Sequence, residues 1–263
     1  MSKNTHLEGM EATKYDDLEG GYGYGATEAS DELYYKGLMQ GNDNKVYEED
    51  NVIHKGFIRK VYGILSFQLL ITFATAAFMS LNDDARQFVV SNMTCFYLGL
   101  GMSIVMLIAL LCYKDRHPHN MILLTIWTFV EAYTIGVVTA MYTEAGMGDI
   151  VLQALFITMA VFVGLTIFTV QSKIDFSFLG AGLGVCLWIL IVWGFVISIF
   201  GWKTEYLYSL FGAIVFSLYI VFDTWLLHER LSPDDYILGA ISLYLDIINL
   251  FLHILRLLSN NRD

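Results

Sequence analysis

Residues 176–200 read FSFLGAGLGVCLWILIVWGFVISIF, twenty-five residues without one Asp, Glu, Lys or Arg. A bilayer core about 30 Å thick is crossed by roughly 20 apolar residues at about 1.5 Å each. This stretch is long enough to span and, being apolar all round, has no face for water. Moving outward from it, the same window finds six more segments: 61–81, 93–113, 120–142, 150–170, 207–227 and 237–258. Three of those, 61–81, 93–113 and 150–170, also lack any charged residue. The connections are short, about five to eleven residues, which argues for one bundle rather than separate domains. The expected fold is an all-α integral membrane protein, a seven-transmembrane-helix bundle over residues 52–263 with a disordered acidic N-terminal tail over residues 1–51.

Composition agrees. Of 263 residues, 56% are hydrophobic and 16% charged, against about a quarter charged in soluble domains. The net charge of −11 is concentrated at one end. Residues 1–51 hold twelve acids and four lysines, a balance of −8, leaving −3 for the other 212 residues. That tail has no apolar periodicity, and Gly20-Gly21-Tyr22-Gly23-Tyr24-Gly25 is of low complexity. Its acidity excludes nucleic acid and an anionic membrane surface as partners. It is a solvating tail in the simplest case, or a partner-binding one through Tyr15, Tyr34 or Tyr35. The three cysteines, Cys95, Cys112 and Cys186, fall inside apolar segments. Their odd number and spacing fit neither a disulfide framework nor a metal site, so they are expected as buried small apolar residues. No basic stretch followed by an apolar core opens the chain, so the first span is expected to direct insertion itself.

Lys and Arg in short connections set orientation. Lys55, Arg59, Lys60, Lys114, Arg116, Lys173 and Arg230 lie on the amino-terminal side; Arg86, Lys203 and Arg262 lie on the other. The excess places the N-terminus in the cytosol and, with seven spans, the C-terminus across the membrane. Because Arg256 lies inside the last span, a re-entrant seventh helix is the other arrangement. Before that span, Ser232-Pro233-Asp234-Asp235 offers an N-cap hydroxyl, a proline at the first helical position and acids near the positive helix end. A helix starting at Pro233 is expected. Asn92-Met93-Thr94 matches a glycosylation acceptor, but it abuts a span and is expected to be unused.

The charges inside the spans point to function. A charge at mid-bilayer costs at least about 2.5 kcal/mol, so such residues face a bundle interior or a water-filled cavity. Three deep acids stand out: Glu131 in the third span, Asp223 in the sixth and Asp246 in the seventh. Counted from the cytosolic ends at about 1.5 Å per residue they lie roughly 17, 6 and 14 Å deep, close enough in level to share one polar cavity. Glu131 has a purely structural alternative, a protonated side chain hydrogen-bonded to a neighbouring helix. Along the seventh span Ser242, Asp246, Asn249, His253 and Arg256 recur at intervals of four, three, four and three, which sets them on one helix face. Such a polar stripe suits a water-lined path. His253 and Arg256, near the far interface, have snorkelling as the plainer role.

Two runs resemble the signature of a known family. They are Phe211-Gly212-Ala213-Ile214-Val215-Phe216-Ser217-Leu218-Tyr219-Ile220-Val221-Phe222-Asp223-Thr224 and Leu243-Tyr244-Leu245-Asp246-Ile247-Ile248-Asn249-Leu250-Phe251. Both are similar to the Bax-inhibitor family, also called transmembrane Bax-inhibitor-motif or lifeguard. Phe57-Ile58-Arg59-Lys60-Val61-Tyr62, leading into Gln68-Leu69-Leu70, resembles the start of its first helix. The similarity runs from about residue 52 to the end. It implies a seven-helix fold, a calcium leak through intracellular membranes (endoplasmic reticulum or vacuole) and suppression of cell death. It further implies that Asp223 and Asp246 form a proton-sensing pair with transient calcium contact. A basic residue at the cytosolic end of the second span, Lys114 or Arg116, would latch that pair. Many relatives carry Gln two residues after the first aspartate, where this chain has Trp225.

Two carboxylates brought together in low dielectric do not both ionise readily, so one proton is shared. Proton uptake would weaken an ion pair to the latch and free the seventh helix. Calcium takes several oxygen ligands, and carboxylates with Asn249 and water suit passage rather than storage. The partners expected are the lipid bilayer, calcium as permeant ion and cell-death regulatory proteins, with no nucleic acid and no cofactor. An intramembrane aspartyl protease also places two aspartates on adjacent spans. It requires Gly-x-Gly before the second and a Pro-Ala-Leu motif, whereas Asp246 follows Leu243-Tyr244-Leu245 and the only prolines are Pro118 and Pro233. No nucleophile triad, phosphate loop or zinc spacing is present, so no enzyme is expected. A receptor would need its N-terminus outside. A proton-coupled transporter of another solute is the remaining alternative.

Overall fold

The computed structural model describes residues 27–201 and 203–260, with side chains from Val52 onward. The expected tail, residues 1–51, therefore falls outside the side chains described, and so does Arg262. The chain divides into two units, Met1–Val52 and Ile53–Asp263, and the second holds the bundle. Its helices are α1 (Thr27–Leu81), α2 (Asp83–Ser91), α3 (Met93–Tyr113), α4 (His119–Glu144), α5 (Gly148–Gln171), α6 (Leu179–Phe200), α7 (Glu205–Glu229) and α8 (Tyr236–Asn260). Seven of them are long and apolar enough to cross a bilayer: α1 from Val52, and α3 through α8, the last with the turn before it. The protein is an integral membrane seven-helix bundle.

Position in the bundle follows from how each helix distributes its apolar residues. Fifteen residues of α8 are buried, on all its faces, including Ile237, Leu243, Tyr244, Ile247 and Leu250. A span that carries polar side chains such as Asp246 and His253 is kept from lipid by its neighbours, and α8 packs against α4, α5 and α7. By contrast α3 and α6 bury only two residues each. Their exposed Ile104, Val105, Trp188, Val192 and Phe195 form the outer, lipid-facing surface. Cys95 and Cys112 are exposed on that outer surface and Cys186 is half-buried, a correction to their expected burial. Cysteine's small apolar side chain suits lipid as well as a core.

Two local features depart from the sequence-based expectation. The connection after the first span is a helix, α2, capped by Asn82, whose Oδ1 accepts the Ala85 N–H at 2.9 Å. Arg86 on α2 reaches Glu144 at the end of α4 (2.7 Å), Asp83 (2.6 Å) and the Ser80 carbonyl (2.9 Å). The turn before α8 is a 3-10 helix, Pro233–Asp235, with proline in its first turn, and α8 begins only at Tyr236. Ser232 does not cap it; its hydroxyl donates to Asp235 Oδ2 at 2.8 Å. The two side chains form a charge-assisted bond, and the α-helix starts three residues later than expected. At Asn92 the side-chain amide donates back to the Phe88 carbonyl at 2.7 Å.

Candidate functional site

α7 and α8 run antiparallel and form the most extensive helix contact of the bundle. They bring Asp223 and Asp246 side by side. The Asp223 carboxyl lies within interaction range of the side chains of Asp246 and Ser242. Asp246 is only 5% exposed, and its buried Oδ2 has no hydrogen-bond partner. An ionised carboxylate only accepts hydrogen bonds, so a hydrogen bond between the two would form only with one of them protonated. Tyr219, one turn before Asp223, lies in the electrostatic reach of both carboxyls; sequence alone did not single it out.

No ion pair is formed by either aspartate among the described residues. The two basic candidates at the end of α3 lie elsewhere. Lys114 Nζ sits 3.1 Å from Asp115 and 3.2 Å from Asp235, in the turn that leads into α8. Asp115 first and Asp235 second hold its pKa above the ordinary lysine value. Arg116 stacks over the Tyr113 ring at 5.4 Å. Two further contacts hold the same end of α8: Lys60 Nζ lies 3.1 Å from the centre of the Tyr236 ring, and Asn120 Nδ2 donates to the Tyr236 hydroxyl at 3.3 Å.

Glu131 does not join the aspartate pair. Ser103 on α3 donates to its Oε1 at 2.7 Å and Thr134 to its Oε2 at 2.9 Å. Ser103 in turn accepts the Trp127 indole N–H at 3.1 Å, and Trp127 meets the Tyr244 ring edge-on at 5.4 Å. Thr72 spends its proton on the Gln68 carbonyl (2.9 Å), so Tyr244 is the donor in their 2.8 Å bond. Gln68 closes the network on Thr128 at 3.2 Å. Tyr244 and Asp246 are two residues apart, about 200° around a helix. Glu131 therefore serves one flank of α8 and Asp223 the other.

The polar stripe is interrupted below the pair. Asn249 turns its amide onto the Leu245 carbonyl of its own helix at 2.8 Å. His253 is buried, stacked on Phe216 (ring centroids 5.6 Å apart) and beside Tyr208 (5.2 Å). Its ring fills the space beside Gly212, where an added Cβ would collide with it. Arg256 is exposed and lies over the Tyr208 ring at 5.6 Å. These aromatic rings close the stripe on the far side of the pair. Among the described residues no group of three or more His, Cys, Asp or Glu is placed to hold a metal ion. Asp223, Asp246 and Ser242 supply too few oxygens for a resident calcium, which takes six to eight.

Comparison with known proteins gives the arrangement its family. The family described as "Inhibitor of apoptosis-promoting Bax1" matches residues 54–263. The chain belongs to the Bax-inhibitor family. Among its relatives, the Golgi anti-apoptotic protein of Vaccinia virus (strain Lister) is 43% identical over 207 residues, 78% of this chain and 86% of that protein. Protein lifeguard 4 of Mus musculus is 42% identical over 207 residues, 78% of this chain and 85% of that protein. The BI1-like protein of Arabidopsis thaliana is 40% identical over 252 residues, 94% of this chain and 91% of that protein. The match includes both aspartates and the whole bundle, and leaves out the first 53 residues.

Proposed function

We propose that this Bax-inhibitor family protein is a pH-sensitive calcium leak of an intracellular membrane, modulating calcium homeostasis and cell death, with Asp223 and Asp246 as its gate. The observation that carries this is the close placement of two carboxyls on adjacent spans with no ion pair to either among the described residues; in this reading they share one proton. Adding a second proton removes the remaining charge and the attraction that depends on it. Removing the shared one leaves two buried like charges in contact, a strongly unfavourable state. Protonation is thus coupled to how tightly α7 and α8 hold together at this level. Lys114 acts through Asp235, fixing the cytosolic end of α8 rather than touching the pair. The names of the relatives, anti-apoptotic at the Golgi in one case and Bax inhibitor in another, support the cell-death role and an internal membrane; the endoplasmic reticulum or vacuole is our proposed location. The N-terminus is cytosolic in this proposal, following the Lys and Arg excess on its side.

The test is calcium flux into liposomes carrying the purified protein, measured as pH is lowered on the face nearest the pair. Wild type is expected to conduct more as pH falls. Asp223→Asn and Asp246→Asn each keep size and hydrogen bonding while removing one titrating group, and each should flatten the response. Identical pH dependence in all three proteins refutes the gate. Flux of a different ion or solute in place of calcium refutes the leak and leaves the fold untouched.

A further inference from the structure

A polar cavity of about 600 Å³ opens at the end of the bundle that carries most of the Lys and Arg, and neither Asp223 nor Asp246 lines it. Its walls are the last turn of α5, the connection to α6, the last turn of α7, and His54. Two cations, Lys173 and Arg230, face it, and neither forms an ion pair among the described residues. Arg230 lays its guanidinium over the Trp225 ring at 5.5 Å. Stacking uses the face of the fork and leaves its in-plane N–H donors available. His228 adds a buried Nε2 with no hydrogen-bond partner. Burying such an atom is unfavourable unless something pairs with it.

Two carboxylates share the wall, so the cavity is not simply a basic patch. Asp175 accepts the Ser177 N–H at 2.9 Å. That bond, helped by the charge of Arg230, holds its carboxyl below the usual range and ionised. Glu229 is exposed at the rim. A ligand matching this wall presents a compact anion to Lys173 and Arg230 and hydroxyl donors to Asp175 and Glu229. The cavity is large enough for a sugar-sized ring. Val170 and Ile174 on its lip are each more than half exposed on the bilayer side, where an acyl chain would leave. Basic pockets between spans at a membrane face suit phosphorylated headgroups.

We infer that this cavity is a binding site for a phosphorylated polyol of the inositol phosphate class, its phosphate on Lys173 and Arg230 and its ring hydroxyls on Asp175 and Glu229. The site is separate from the proposed gate and stands whether or not the protein conducts calcium. It is tested by native mass spectrometry of the full-length protein in detergent. The probes are phosphatidylinositol 4-phosphate, phosphatidic acid, phosphatidylcholine and soluble inositol 1,4-bisphosphate. Wild type should retain phosphatidylinositol 4-phosphate at concentrations where phosphatidylcholine is lost and phosphatidic acid is weak. Retention of inositol 1,4-bisphosphate as well would make the headgroup sufficient; retention of the lipid alone would make the membrane its source. Lys173→Gln with Arg230→Gln should weaken binding at least about tenfold, since each removes a charge-assisted contact. Lys173→Arg with Arg230→Lys should restore it, and Lys203→Gln, across the bundle, should change nothing. Unchanged binding in the Gln pair overturns the site, as does equal retention of phosphatidylcholine. Phosphatidic acid bound as well as the inositol lipid overturns the polyol assignment.

Discussion

Gly212→Ala is the sharpest perturbation of the closed bundle. The His253 ring lies where the new Cβ would be, and it is confined by Phe216 at 5.6 Å and Tyr208 at 5.2 Å. His253 is 7% exposed, so the ring has no free space to retreat into. Overpacking of this kind costs typically about 1–3 kcal/mol. If the far-side seal is what the clash opens, that cost falls on the closed state alone. At about 1.4 kcal/mol per tenfold, basal flux rises roughly five- to 150-fold. Two measurements check this together: thermal stability of the protein in detergent, which should drop, and calcium flux in liposomes at neutral pH, which should climb. His253→Ala removes the ring and should itself open the seal. In the double variant Gly212→Ala with His253→Ala the added Cβ no longer collides with the ring, so the second substitution should cost far less than it does alone. Gly212→Ala with unchanged stability and unchanged flux would refute the seal. Lower stability with unchanged flux would keep the packing and reject the seal as a gate.

Three further outcomes follow from the same contacts. Tyr244→Phe removes the donor to fully buried Thr72 and should lower stability by about 0.6–1.5 kcal/mol; Thr72→Val in the same background should then add little, checked by a double-mutant cycle of melting temperatures. Lys114→Gln and Asp235→Asn should each raise basal flux, and combined should do no more than either alone, because they act as one pair; high salt should mimic them, the pair being partly exposed. The sign of its pH dependence separates it from the aspartates. A lysine whose pKa is raised on folding contributes fully below its unfolded value, about 10.4, and loses that contribution only as pH climbs through the folded value. Lys114→Gln should therefore shift the level of flux between pH 6 and 8 and leave its slope with pH intact.

The seven spans were legible because the bilayer sets one length and excludes charge, so uninterrupted segments such as 176–200 have one structural solution. Asp223 and Asp246 were legible for the same reason inverted: a carboxyl in such a segment must find a polar partner. Which partner it finds was not legible. Glu131 matched the aspartates in depth, yet it faces Ser103 and Thr134, because the rotation of each helix is fixed by packing over its whole length. Asn249 continued the periodic stripe, yet its amide bonds to Leu245 of its own helix, an option open to any Asn and invisible to periodicity. The network through Gln68, Thr72, Thr128 and Tyr244 went unseen because hydroxyls and amides score as nearly neutral in an apolar run. The short helix α2 was hidden by its length: nine residues with two acids and an arginine read as connection until Asn82 caps them and Arg86 ties them to Glu144.

These contacts distribute unequally along α8, and the inequality says how it would move. Its first turn is fixed by three polar contacts, Lys114 to Asp235, Asn120 to Tyr236 and Lys60 over Tyr236. One flank at mid-height is fixed by Tyr244 on Thr72. The opposite flank carries the proposed Asp223 and Asp246 pair, and the far end rests on packing of His253 beside Gly212. Of these, only the carboxyl pair changes charge by gaining a proton as the cytosol acidifies without losing a neutral partner. A change there acts on the α7 side of α8 while Tyr244 keeps the α4 and α1 side in place. The displacement it favours is a rotation or tilt of α8 about its Tyr244 flank, away from α7. That motion would draw His253 out from beside Gly212 and unseat Tyr208 and Phe216, joining the two halves of the interrupted stripe. In the proposed gate, proton uptake at the pair and opening of the far seal would be one movement of α8, so variants at Asp246 and at Gly212, whose neighbour His253 lies about 11 Å from Asp246 along α8 at 1.5 Å per residue, are expected to act together.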